Sequence, residues 1–143
     1  MTYSIDSSFG FLISKIKSRL KIKMGAALKP HGITAEQRTI LLMLCKYGAM
    51  TQKSICDLTD TEPANMAVTL KRLMANDYVE RVDHPSDSRA YLINVTNKAK
   101  DIEEELISYG VTLTDEMLKG IPEEEQEIAL KTLKKIFENV KGI

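Results

Sequence analysis

Residues 51–95 read TQKSICDLTDTEPANMAVTLKRLMANDYVERVDHPSDSRAYLINV, and their periodicity decides the fold. Thr51 can cap a short helix running through Leu58, because its hydroxyl can accept one of the first-turn N–H groups. Thr59-Asp60-Thr61-Glu62-Pro63 is a cap-rich turn. Proline is tolerated in a helix only in its first turn, so a second helix starts at Pro63. Met66, Leu70 and Leu73 give that helix one apolar face, and it runs out near Asn76-Asp77. The period then changes from about 3.6 to 2. Tyr78, Val79, Arg81 and Val82 read as a strand, and His84-Pro85-Ser86-Asp87-Ser88 is turn chemistry. A second strand runs Ala90–Val95, with Tyr91, Ile93 and Val95 alternating against Ala90, Leu92 and Asn94.

Short helix, tight turn, amphipathic helix and β-hairpin is the order of a winged helix-turn-helix. The B-DNA major groove is about 12 Å wide and admits one helix. A preceding helix can cross the backbone and brace it. An arginine on a hairpin tip can enter the adjacent minor groove, where the potential is negative. Here the bracing helix is expected over 51–58, the recognition helix over 63–76 and the wing over 78–95.

Outward from this unit the chain reads as helix. Over residues 7–28, Phe9, Leu12, Ile13, Ile16, Leu20, Met24 and Leu28 recur every three or four positions, and Lys29-Pro30-His31-Gly32 ends that helix. Thr34 with Gln37 has capping-box spacing ahead of Ile40, Leu41, Leu44 and Tyr47, and Gly48 closes that helix. Thr96 can cap a helix holding Ile102, Leu106, Tyr109, Leu113 and Met117, which Gly110 is expected to interrupt and bend. After Gly120-Ile121-Pro122, a last helix holds Ile128, Leu130, Leu133, Ile136, Phe137 and Val140. The expected class is mainly α (α+β).

The chain has 143 residues, 43% of them apolar and 28% charged, in the range of one ordinary globular domain. Twenty Lys+Arg balance twenty Asp+Glu, which excludes a uniformly basic nucleic-acid coat. The balance is uneven along the chain: +5 over 1–32, 0 over 33–60, +1 over 61–100 and −6 over 101–143. The two ends can attract each other, within one chain or between two, or be solvated helix faces. No apolar run approaches the roughly 18 residues of a membrane span. Met1–Asp6 lacks the basic-then-apolar order of a signal peptide, and two cysteines are too few for a disulfide framework, so a cytoplasmic protein is expected. No nucleophile elbow, P-loop, dinucleotide-binding glycine run or HExxH is present, so no enzyme and no cofactor are expected. His31 and His84 are far apart and join no cluster with metal-ligand spacing.

The ordered motifs resemble those of the MarR family of transcriptional regulators, over almost the whole chain. The likeness is carried by Gly32-Ile33-Thr34 with Gln37-Arg38, Thr51-Gln52, Leu73 through Tyr78-Val79-Glu80-Arg81, Asp87-Ser88-Arg89, Val95-Thr96-Asn97-Lys98-Ala99 and Gly120-Ile121-Pro122-Glu123-Glu124-Glu125. The resemblance implies one domain over 1–143, with a DNA-binding winged helix-turn-helix over 33–95 and dimerisation helices over 1–32 and 96–143. It implies an obligate homodimer, reading double-stranded DNA at a pseudopalindromic operator with half-sites about one helical turn apart. Repression is the mode it implies, with release by a small aromatic or anionic effector held between the dimer helices and the wing. The apolar stripes of the first and last helices, rich for end segments, fit an interface between chains; packing within one chain is the alternative.

By position, the resemblance places Arg89 on the wing arginine that enters the minor groove and Asp87 on the carboxylate that orients it, with Ser88 between them. An ordinary surface ion pair, worth at most about 1 kcal/mol, is the alternative. Arg81 falls on an arginine with a structural or phosphate role. Ala64, Asn65, Val68, Lys71 and Arg72 lie away from the apolar face of the recognition helix. Asn65 can pair with adenine, while Lys71 and Arg72 can meet phosphates. Gln52 and Lys53 stand at a helix N-terminus, which favours phosphate. Many relatives carry Thr-Arg where this chain has Ala67-Val68. That departure weakens affinity or moves specificity toward apolar contacts such as a thymine methyl, and Asp60 and Glu62 add negative charge nearby. An interaction module that has lost DNA binding is therefore the competing function. Cys45 lies among Leu41-Leu42-Met43-Leu44 and Cys56 at a position expected against the recognition helix; both read as structural thiols rather than oxidant sensors.

Overall fold

The computed structural model describes residues 2–143; Met1, the first residue of the expected 1–32 segment, lies outside them. The chain divides into two compact units, one reaching Gly110 and one running Val111–Ile143.

The first unit opens with α1 (Phe9–Leu28), capped by Ser8, whose side chain accepts from the Phe11 N–H. A 3-10 turn over Lys29–His31 ends on Gly32 at φ +67°, a left-handed position that suits glycine. The expected capping box then opens α2 (Ala35–Tyr47): the Gln37 N–H donates to Thr34 Oγ1 at 3.2 Å, and the Thr34 N–H donates to Gln37 Oε1 at 2.8 Å. This reciprocal pair satisfies Gln37, a buried polar side chain. Thr51 caps α3 (Gln52–Thr59) by accepting from the Ser54 N–H. Helix α4 (Pro63–Ala75) starts on the expected proline.

Helix α4 leaves through a Schellman turn. The Tyr78 N–H reaches the Leu73 carbonyl at 2.9 Å and the Asp77 N–H the Met74 carbonyl at 3.0 Å. Asp77 occupies the left-handed position at φ +62° that glycine usually fills, one of the shapes a short Asx side chain tolerates. The hairpin pairs β1 (Val79–Asp83) with β2 (Tyr91–Val95), antiparallel, from Val79 opposite Val95 to Asp83 opposite Tyr91. Met50 adds a one-residue bridge to β2 by exchanging both backbone hydrogen bonds with Ile93.

Thr96 caps α5 (Asn97–Asp101), and α6 (Glu103–Met117) follows. The sequence reading put the interruption of this region at Gly110; it falls at Ile102 instead. There the Ile102 N–H turns back to the Ala99 carbonyl at 3.2 Å, and its own carbonyl restarts the helix by accepting from Leu106. Gly110 lies inside α6, where a Cβ would meet only the guanidinium end of the Arg38 side chain. The Arg38 Nε donates to the Leu106 carbonyl at 2.8 Å, which holds the guanidinium against α6.

The core of the first unit joins Leu28 of α1, Leu41 and Leu44 of α2, Ile55 of α3, Met66, Leu70 and Leu73 of α4, Ile93 of β2 and Leu106 of α6, all buried. Only the last turns of α1 share in it: Met24 and Leu28 are buried, while Phe9, Leu12, Ile13 and Ile16 of the same stripe are exposed. In the second unit, α7 (Glu123–Lys141) carries three glutamates in its first turn, where the positive end of the helix dipole favours them. None of its residues is buried, and Ile128, Leu130, Leu133, Phe137 and Val140 are exposed. Among the described residues, no helix is long and apolar enough to cross a membrane.

Candidate nucleic-acid interface

Three elements carry the candidate residues. At the start of α3, Gln52 is half-buried and Lys53 exposed. The Thr51 hydroxyl engages the Ser54 N–H at 3.1 Å, which leaves the Gln52 and Lys53 N–H groups at the positive end of the helix. On α4, Met66, Leu70 and Leu73 face the core while Ala64, Asn65, Val68, Lys71 and Arg72 are exposed, the division expected from the spacing. Packing of α4 on α2, α3 and β1 fixes which face it offers outward.

At the wing tip, Asp87, Ser88 and Arg89 are all exposed. Asp87 Oδ1 accepts from the backbone N–H of Arg89 at 2.9 Å, and the Ala90 N–H closes a turn on the Asp87 carbonyl at 3.2 Å. The carboxylate thus shapes the backbone that presents Arg89, and the alternative, a surface ion pair with the guanidinium, is not formed. Among the described residues, the ion pairs are Lys21–Glu36, His31–Glu105 and Lys141–Glu138. Lys53, Lys71, Arg72 and Arg89 belong to none of them. Of the candidate set, only Asp87 and Arg89 are joined by a hydrogen bond that involves a side chain.

Arg81 is engaged in the hairpin itself, with its guanidinium 4.4 Å from the Tyr91 ring centroid, diagonally across the strand pair. The sequence reading missed the residues that hold the exit of α4. Lys98 Nζ donates to the Asn76 carbonyl at 2.7 Å and lies 4.3 Å from the Tyr78 ring centroid, placing a cation at the negative end of α4. Thr96 Oγ1 donates to the Asp77 carbonyl at 2.6 Å. The Tyr78 hydroxyl donates to the His31 carbonyl at 2.6 Å, and His31 Nε2 lies 2.9 Å from the Tyr109 hydroxyl and 3.1 Å from Glu105 Oε2. These contacts tie the root of the wing to the α1–α2 turn and to α6. They join residues far apart in sequence, and no local spacing signals them.

Both thiols are held in their protonated form. Burial first, and then Glu103 beside it, push the Cys45 thiol up to about 11. Burial, with Asp57 and Glu62, also pushes Cys56 up. At pH 8 the Cys45 thiolate is therefore far scarcer than in a free cysteine, and since a thiolate of higher pKa is the stronger nucleophile, iodoacetamide should modify it about tenfold more slowly. Intact-mass kinetics check this, and labelling as fast as that of free cysteine would contradict it.

The MarR family model matches residues 31–90, the span from the turn after α1 to the wing tip. The uncharacterised HTH-type transcriptional regulator YwoH of Bacillus subtilis is 30% identical over 105 residues, covering 73% of this chain and 76% of that protein. The HTH-type transcriptional regulator BilQ of Clostridioides difficile is 24% identical over 95 residues, covering 66% of this chain; the match spans 64% of that protein's length. A crystal structure of a mutant MarR from E. coli complexed with operator DNA superposes with a TM-score of 0.82 at 25% identity, covering 89% of this chain and 91% of that one. With the family's fold, its match over the reading unit and a 30% identical relative across most of its length, the chain belongs to the MarR family of transcriptional regulators.

Proposed function

We propose that the protein is a homodimeric, sequence-specific DNA-binding repressor, with α4 in the major groove and Arg89 of each wing in the adjacent minor groove. The observation that carries this reading is the set of unpaired cations on one reading unit: Lys53, Lys71, Arg72 and Arg89 are exposed, and no carboxylate among the described residues pairs with them. The roles of Gln52, Lys53, Ala64, Asn65, Val68, Lys71, Arg72, Asp87, Ser88 and Arg89 in DNA binding are part of the proposal. So is the division into a reading region over 33–95 and dimerisation helices over 1–32 and 96–143, supported by the uncovered apolar residues of α1 and α7. A repressor of this kind works in the cytoplasm and needs no catalytic group.

Salt titration tests the DNA reading. If two copies each bring these four cations to phosphates, log affinity for an operator duplex falls with log salt at a slope of roughly −7. Fluorescence anisotropy at several salt concentrations measures the slope. Absence of duplex binding in dilute buffer overturns the proposal and favours the protein-interaction module.

An aromatic or anionic effector is also proposed, and Arg38 supports it. Arg38 is half-buried, its Nε donates to the Leu106 carbonyl, and among the described residues its guanidinium has no carboxylate partner. Such a group favours an incoming carboxylate.

A further inference from the structure

We infer that Val68 reads the C5 methyl of a thymine within each operator half-site, so that the protein discriminates thymine from bases lacking that methyl. The inference rests on the DNA-binding reading above and goes beyond it by naming what one position of α4 recognises.

Val68 is 51% exposed, a β-branched apolar side chain on a helix face it shares with Ala64, Asn65, Ala67, Lys71 and Arg72. At about 100° per residue, Val68 points almost directly away from the mean direction of Met66, Leu70 and Leu73. It is therefore central on the outward face, with Ala64 and Asn65 on the turn before it and Lys71 and Arg72 on the turn after it. An exposed valine in a helix gains nothing from propensity, where it ranks below alanine. What sets Val68 apart from other exposed apolar residues is its place at the centre of the face that the DNA-binding reading turns to the groove, where Ala64 and Ala67 are small and Asn65, Lys71 and Arg72 are polar.

The major groove presents one apolar group, the thymine methyl; every other base edge there is a donor or an acceptor. Valine can make no hydrogen bond, so a guanine or cytosine beneath it would lose water without replacement. Ala64, one turn earlier, is short enough to let the helix approach the base edges. Lys71 and Arg72, one turn later, carry the charge that can hold this face against the phosphates. Three residues of α-helix rise about 4.5 Å, slightly more than one 3.4 Å base step. The Asn65 carboxamide thus falls about one step from Val68 and can address an adjacent adenine, making an A·T-rich centre of the half-site.

The test uses the full chain and duplexes that it selects from a random-sequence library. Each thymine of the selected half-site is then replaced in turn by deoxyuridine, which removes only the C5 methyl. For the unsubstituted protein, one position per half-site should weaken binding roughly fourfold, and roughly fifteenfold when both half-sites are changed, the worth of a buried methyl. For Val68→Ala, the penalty at that position should vanish while penalties elsewhere persist. Alanine at this exposed site leaves the helix intact, which far-UV circular dichroism verifies. Uniform tolerance of uracil, the same penalty in Val68→Ala, or selected sites without a recurrent thymine would each overturn the inference while leaving DNA binding in place. Failure to select any duplex removes the DNA-binding reading and the inference together.

Discussion

Introducing Leu133→Asp and Phe137→Asp together converts the protein to a monomer and weakens operator binding by about 10²–10⁴-fold, the gain that two linked half-sites give over one. Both residues lie on the exposed stripe of α7, 51% and 48% exposed in the single chain. Within one chain they contribute little to folding, so each aspartate remains solvated there. Across an interface each would be buried without a partner, at a cost of several kcal/mol. Analytical ultracentrifugation reads the mass, and far-UV circular dichroism confirms that helix content is retained. A variant that stays dimeric, or a monomer that binds with undiminished affinity, contradicts the proposed role of α7.

The second large effect is at the wing. Arg89→Ala weakens operator binding by about 1–2 kcal/mol per wing, so roughly 30- to 700-fold for a dimer with two wings. Arg89 is exposed and donates to Asp87 only through its backbone N–H, which alanine keeps. The tip should therefore retain its shape while the guanidinium is lost. Thermal unfolding should be unchanged within a degree or two, since no packing is removed. Unchanged affinity in an anisotropy titration would show that the wing makes no DNA contact.

The reading unit was legible because local chemistry dictates it. Thr51, Pro63 and the Met66/Leu70/Leu73 spacing locate the two helices to within about a residue, and alternation locates the strands. Three features escaped for physical reasons. The Met50–Ile93 bridge is a single residue pair and has no period to detect. Gly110 suggests a break, yet it continues α6 and has the guanidinium of Arg38 beside it, brought there from 72 residues away in sequence. Asp87 is expected to orient Arg89, yet the route it takes is not in the spacing: its short carboxylate reaches the backbone N–H two residues on. Among the DNA-binding candidates, exposure followed from helix phase. The anchoring of the α4 exit by Lys98, Thr96 and Tyr78 depends on tertiary contacts.

The bond from Asp87 to the Arg89 N–H has a thermodynamic consequence. A free seven-residue connection between strands samples many backbone states, and fixing each residue costs roughly 1–2 kcal/mol of entropy. By closing a turn at the tip, Asp87 shifts part of that loss from association to folding. The wing proposed to enter the groove would then arrive partly preorganised, and more of its interaction energy would survive as affinity.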